Sequence, residues 1–316
     1  MSEVIKKATR VGYAEGLLAL GAIDENVIVM DADLAGATQT VKFKEAYPER
    51  FYDCGIAEQN MIGIAAGLSL TGHTVFASSF AMFAAGRAFE QIRNSVGYPH
   101  LNVKIAATHA GISVGEDGAS HQCNEDIALM RSIPGMVIIN PADAVEAKAA
   151  VLAAAKYEGP VYLRFGRLAV PVVFDEDTYE FELGKGKVLA EGDDVAIIAT
   201  GLMVNEALIA AETLKAEGIS ARVINIHTIK PLDEDIVVKA AKECGCVVVA
   251  EEHNVIGGLA SAVCETLSEK LPTPVERVGV NDEFGMSGPA VELLHIYGLD
   301  ADHIVEASKK AIERKA

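Results

Sequence analysis

Short runs of β-branched and small apolar residues, recurring between helix-length segments, constrain the fold of this chain more than any other feature. They are Val27–Met30, His73–Ala77, Val103–Ala107, Val137–Ile139, Val161–Phe165, Val195–Ala199, Ala221–Asn225 and Cys246–Ala250. Most lack a polar alternation, so both faces need covering, as for a strand inside a parallel sheet. The composition agrees: half of the 316 residues are hydrophobic, 6% are aromatic and none is Trp. Between these runs the pattern predicts helices from Lys6 to Leu20, ended by Gly21, and from Glu58 to Leu70, ended by Gly72. Others run from the Ser78–Phe83 loop to about Val96, and over Ala142–Tyr157, Val204–Glu217 and Asp233–Glu243, with one more opening at Gly257-Gly258-Leu259. The expected fold class is α/β, with two domains, each a mostly parallel sheet with helices on both faces. A chain of this length can bury two cores. The first domain is placed at residues 1–170 and the second at 195–316. The charged stretch 171–194, containing Phe174-Asp175-Glu176-Asp177, reads as a linker with room for a short strand.

The formal net charge of −18 argues against nucleic acid and anionic membrane as partners. An anionic substrate would therefore need a local basic pocket. Five scattered Cys suit a reduced, cytoplasmic setting, and Cys244 and Cys246 read as two buried thiols rather than a metal site. Met1–Lys7 lacks the apolar core of a signal peptide, and no apolar run reaches the roughly 20 residues of a membrane span.

Two stretches do not fit a purely structural account. Glu58, in Asp53-Cys54-Gly55-Ile56-Ala57-Glu58-Gln59-Asn60-Met61, starts a run of small and apolar residues. A carboxyl in such surroundings is expected to hold its proton and donate it in a hydrogen bond. For a lone Glu, a helix-start role on the positive end of the dipole would be the default. The loop Thr108–Gln122 changes that balance. It gathers His109, Glu116, Asp117 and His121 among glycines, which permit close backbone approach to a ligand. The His109 to His121 spacing matches no usual metal-ligand pattern. Asp31-Ala32-Asp33-Leu34 leaves the carboxyl end of a strand, where α/β sheets bind ligands.

The segments Gly55-Ile56-Ala57-Glu58-Gln59-Asn60-Met61, Ser78-Ser79-Phe80-Ala81-Met82-Phe83 and Thr108–Gln122, taken together, resemble the carboxyl-terminal half of transketolase, a thiamine-diphosphate enzyme. The match runs in order from Lys6 to Ala316. The resemblance implies a pyrimidine-binding domain followed by a transketolase C-terminal domain. It implies that Glu58 hydrogen-bonds a ring nitrogen of the cofactor's aminopyrimidine and favours the imino tautomer that deprotonates the thiazolium carbon. It further implies that Phe83 stacks on the pyrimidine and Phe80 lines its pocket. His121 would contact sugar hydroxyls and relay protons, and Asp117 would read a sugar hydroxyl. His109, Arg10 and Arg167 would bind the terminal phosphate, which would resolve how so acidic a chain holds a sugar phosphate.

Some residues depart from the family pattern. The family's Ser after Ala-Asp-Leu-Ala is Ala37 here, followed by Thr38. His109-Ala110-Gly111 leans toward deoxyxylulose-phosphate synthase, a relative that usually carries Arg at the His109 position. The beta subunits of 2-oxoacid dehydrogenases share the Glu58 segment but have a different His-containing loop. A non-catalytic scaffold subunit is the alternative from another class, and it has no use for this set of residues. The Gly-Asp-Gly…Asn segment that holds the diphosphate and its metal in this family is not found. The resemblance thus implies the second subunit of a split transketolase. It would form a homodimer core and be active only with an N-terminal partner subunit that holds most of the contacts to Mg²⁺ (or Ca²⁺).

Overall fold

The computed structural model describes residues 5–315; the first four residues of the amino-terminal stretch read above and Ala316 lie outside them. Fourteen strands follow in chain order: β1 (Lys6–Ala8), β2 (Val27–Asp31), β3 (Phe51–Asp53), β4 (Thr74–Phe80), β5 (Val103–Thr108), β6 (Val137–Ile139), β7 (Val161–Arg164), β8 (Ala169–Pro171), β9 (Lys187–Ala190), β10 (Val195–Ala199), β11 (Ala221–Asn225), β12 (Thr228–Lys230), β13 (Val247–Asn254) and β14 (Val275–Val280). The first sheet has the order β12-β6-β7-β5-β4-β2-β3 and is parallel except for β12. The second has the order β14-β13-β10-β11-β9 and is parallel except for β9. A short antiparallel pair, β1 with β8, closes the two ends of the first unit. The fold class is α/β with parallel-rich sheets, as the apolar runs imply. Among the described residues, no helix is long and apolar enough to cross a membrane.

The inner strands of the first sheet are buried on both faces, and successive residues serve different cores. In β2, Val27 and Val29 join Tyr13, Leu17, Phe76 and Val151 under helices Thr9–Ile23 and Ala144–Lys156. Ile28 and Met30 point the other way, toward Met61, Ile62 and Ala65 of helix Glu58–Ser69. The same cluster continues into the second sheet through Ala196, Ile198 and Ile224. Cys244 and Cys246 are both buried free thiols there.

Several elements differ from expectation. Lys6–Ala8 is strand, and the first helix runs on through Gly21 to Ile23, because Gly21 packs against the Tyr47 and Phe43 rings. The first half of the expected Ser78–Phe83 loop is the end of β4, and from Met82 the chain winds as two π-turns, Met82–Arg87 and Ile92–Gly97, around a short α-turn. Strand β12 comes from beyond the second sheet's β11 yet pairs with β6 of the first. The stretch 171–194 does hold the short strand it left room for: β9, which pairs with β11.

The segment between β8 and β9 is fastened by two buried carboxylates. Asp143 Oδ2 accepts from the Val173 and Phe174 amides at 2.7 and 2.9 Å. Glu146 accepts from the Ala142 amide at 2.7 Å, from Asn225 Nδ2 at 2.7 Å and from the Tyr179 hydroxyl. Burial outweighs these bonds and pushes the Glu146 carboxyl from 4.5 up to about 7. A carboxyl that binds its proton more tightly folded than unfolded stabilises the fold fully below its unfolded value. That contribution is lost as pH rises through the folded value. Denaturant unfolding of wild type should therefore lose roughly 3 kcal/mol from this group between about pH 4 and pH 8, at ~1.4 kcal/mol per unit. Glu146→Gln should remove that part of the slope; an unchanged slope would show that Glu146 does not titrate in this window.

Candidate active site

The candidate residues converge because four adjacent parallel strands end at one edge of the first sheet. β4 delivers Phe80 and, one turn on, Phe83; β5 delivers His109; the segment after β7 delivers Arg167. The helix that follows β1 brings Arg10 at its start, and the turn after β2 brings Ala37. Phe80 stacks on His109 with ring centroids 3.8 Å apart and 22° between planes. Phe80 also lies 6.0 Å from Phe83, and His121 meets Phe83 edge-on at 5.2 Å. These four rings form one aromatic cluster.

Glu58 sits beside that cluster, at the first residue of its helix, and is only 2% exposed. The carboxyl is not alone. Arg87 Nη1 donates to both of its oxygens at 2.8 Å. The Arg87 guanidinium carbon lies 4.5 Å from the centroid of the Phe83 ring. Nothing in the sequence reading singled out Arg87, although its place one helical turn after Phe83 was a usable signal.

At the other side the site is basic. Arg10 Nη1 donates to Ala37 O at 2.7 Å and lies 3.3 Å from His109 Nε2. Arg167 Nη1 donates to Val114 O at 2.6 Å and to Glu116 Oε2 at 2.9 Å. Burial, aided by the nearby charges of Arg10, Arg167 and His121, depresses His109 to about 3. His109 is therefore a neutral imidazole near pH 7, with Nδ1 2.9 Å from Thr108 Oγ1. Burial, then the charge of Arg167, also lowers Arg10, whose Nε is a buried donor without a partner. A half-buried, mutually repelling pair of guanidinium groups is an arrangement that an anion would relieve. Asp117 stands apart from these contacts, exposed on the rim of the loop.

The loop that carries His109, Asp117 and His121 is mostly buried, and its shape comes from the second sheet. Glu252, in β13, accepts from the Ser113 amide at 2.7 Å. Gly111, at φ 79°, lies so close that a Cβ there would stand 2.3 Å from the Glu252 carboxyl carbon. Gly118, at φ 73°, would likewise meet Ser287 Oγ at 2.4 Å. These glycines serve close approach to the chain's own second half rather than to a ligand. The signal for Glu252 was present: Glu251-Glu252-His253 are three ionisable residues closing an otherwise apolar strand. A groove of ≈ 680 Å³ opens next to Phe83 and Arg87, and Glu125, Asp282 and Glu283 also line it. Among the described residues, no group of three or more His, Cys, Asp or Glu is placed to hold a metal ion.

Comparison with known proteins matches this arrangement to one family. The model of the transketolase pyrimidine-binding domain matches residues 5–172, and that of the transketolase C-terminal domain matches residues 184–304. A putative transketolase C-terminal section of Methanocaldococcus jannaschii is 53% identical, over 98% of this chain and 98% of that protein. A 6-deoxy-6-sulfo-D-fructose transketolase subunit of a Clostridium species is 44% identical, over 96% of this chain and 94% of that protein. A solved structure described as a split gene transketolase, inactive beta4 tetramer, superposes with a TM-score of 0.92 at 55% identity, covering 98% of this chain and 99% of that one. This chain belongs to the transketolase family, of which it carries the pyrimidine-binding and C-terminal domains.

Proposed function

We propose that this chain is the C-terminal subunit of a split transketolase that moves a two-carbon ketol unit from a ketose phosphate to an aldose phosphate in the cytoplasm. The observation that carries this reading is the Glu58 carboxyl paired with a flat N–H donor that also lies over the Phe83 ring. An aminopyrimidine that carries a proton on its ring nitrogen offers the same two features, an N–H edge and a flat face. The residues present therefore fit that part of thiamine diphosphate. Its diphosphate and Mg²⁺ (or Ca²⁺) are assigned mainly to an N-terminal partner subunit. The related split-gene tetramer is described as inactive, which supports a need for that partner.

When bound, thiamine diphosphate supplies the carbon nucleophile that carries the two-carbon unit between sugars. Glu58, sealed from bulk water, would pass a proton between its carboxyl oxygen and the ring nitrogen. Phe83 stacks on the ring, and Phe80 supports both Phe83 and His109. His121 lies with Nδ1 3.0 Å from Ser120 Oγ, which leaves Nε2 to exchange a proton with a sugar hydroxyl. Asp117 reads a hydroxyl from the rim. Arg10, through its free Nε, and Arg167 take the terminal phosphate, with neutral His109 beside them. Arg167 gives up only exposed Glu116, a weak pairing. The Clostridium relative is named for a sulfo-sugar, which also ends in an anion.

Two copies are proposed to meet along helix Glu58–Ser69. Gly63, Ile64 and Gly67 are exposed there with open space around both glycines, and Ile56 and Leu70 are exposed at its ends. Small and apolar residues in the open mark a contact surface. Two partner subunits on that homodimer core would complete a heterotetramer. Light scattering should report at least a dimer for the isolated chain at micromolar concentration; a monomer would rule this surface out.

With the partner added, Glu58→Gln should lower ketol transfer by about 10²–10⁴-fold, the usual size of a general acid–base contribution. Calorimetric affinity for thiamine diphosphate should change far less. Activity within a few-fold of wild type would reduce Glu58 to a helix-start residue. Arg167→Ala should raise KM for phosphorylated sugars by the equivalent of about 1.5–3 kcal/mol, the worth of a hydrogen bond to a charged group. Unphosphorylated sugars should be spared; equal losses for both would move Arg167 out of the phosphate site.

A further inference from the structure

Arg87 makes the two contacts that the proposed function gives to the aminopyrimidine. It donates to both Glu58 oxygens at 2.8 Å, and its guanidinium lies 4.5 Å from the Phe83 centroid. A guanidinium is flat, rich in N–H donors and stacks on aromatic faces, so it is the protein side chain that most resembles a protonated aminopyrimidine. Two such groups cannot share one carboxyl and one ring face. Arg87 and the cofactor are therefore alternative occupants.

The surroundings supply a second place for Arg87. Its side chain is 46% exposed, so its outer part is free to swing without unpacking the core. It lines the ≈ 680 Å³ groove that Glu125, Asp282 and Glu283 also line. Those carboxylates come from the end of the His-containing loop and from the segment after β14, both outside the element that holds Arg87. The backbone also marks this position. Arg87 ends the π-turn Met82–Arg87, and such turns re-aim a side chain relative to a regular helix and recur at functional sites.

We propose that Arg87 is a self-ligand of the aminopyrimidine seat, which the cofactor displaces into the acidic groove formed by Glu125, Asp282 and Glu283. This rests on the assignment of Glu58 and Phe83 to the pyrimidine. Arg87 then sets apparent cofactor affinity, because only molecules with Arg87 swung out are competent to bind. A seat self-occupied nine parts in ten weakens apparent affinity about tenfold.

The test uses the full chain assembled with its N-terminal partner and measures thiamine diphosphate binding with Mg²⁺ by calorimetry and stopped flow. Arg87→Ala should tighten Kd about tenfold and raise the association rate, in line with removal of the competing occupant. Arg87→Lys, which keeps the charge but loses the flat fork, should fall between. The Asp282→Asn, Glu283→Gln double variant should weaken binding in the Arg87 protein and have no effect in the Arg87→Ala background. An Arg87→Ala or Arg87→Lys protein that binds the cofactor as wild type does, or more weakly, would overturn the proposal. Glu58→Gln is the control for the underlying assignment. If it too leaves binding and transfer unchanged, the assignment itself fails. If it lowers transfer while neither Arg87 variant tightens binding, only the self-ligand is lost.

Discussion

The guanidinium of Arg164 is the pin on which the rest of the structure depends. It ends β7 fully enclosed, donating Nε to Asp126 Oδ2 at 2.9 Å and Nη2 to Cys123 O at 3.4 Å and to Glu252 O at 2.9 Å. Tyr162 adds its hydroxyl to the same Asp126 oxygen at 2.7 Å. One side chain thus ties the first sheet to the end of the His-containing loop and to β13 of the second sheet. Burial works against its charge, but Asp126 and Glu252 more than restore it. Losing one partner of such a pair would strand the other in the core, at about 3–5 kcal/mol. The pin therefore fixes geometry more than it adds net stability.

The shape of the His-containing loop follows from that tie. With β13 held against the loop, Glu252 reaches the Ser113 amide and Gly111 is pressed against its carboxyl. Asn254 adds a backbone bond to Asn124 O at 2.7 Å. His109 is then held at φ 57°, a left-handed conformation uncommon for a residue with a side chain. That backbone turn places its ring on Phe80. The second domain thus acts on the first by shaping the loop that carries three of the proposed substrate contacts, and it adds Asp282 and Glu283 to the groove beside Phe83 and Arg87.

Much of this was legible in the sequence, for identifiable reasons. Strands such as Val103–Thr108 and Val195–Ala199 are buried on both faces, so their apolar runs are unbroken and easy to read. β12 is an edge strand of three residues whose partner lies far off in sequence, and its residues alternate no pattern a local reading could detect; the charged stretch 171–194 left room for β9 but did not name its partner. The two π-turns escaped because Ala, Gly and Met allow many windings, and tertiary packing selects among them. In the site, the ring cluster and the basic group follow the motifs. Arg87 escaped because its contact joins Glu58 to a residue 29 positions away. Glu252 escaped because its partner, Ser113, is 139 positions away.

Charge gives the site its direction. In a chain of net charge −18, the cluster of Arg10, His109 and Arg167 stands against the overall field, and its members repel one another. Burial, then that repulsion, lowers both Arg10 and His109. His109 meets the cost by staying neutral, whereas Arg10 keeps its charge, one carbonyl partner in Ala37 and one unused donor at Nε. An anion placed there would remove the repulsion and satisfy the donor at once. Its binding free energy is then partly a release of tension stored in the folded chain, and by linkage the bound anion stabilises the fold that stores it. The opposite arrangement holds at Glu58, where the buried carboxyl already has a cation in Arg87. An anion and a flat N–H donor would thus be drawn to opposite ends of one aromatic cluster.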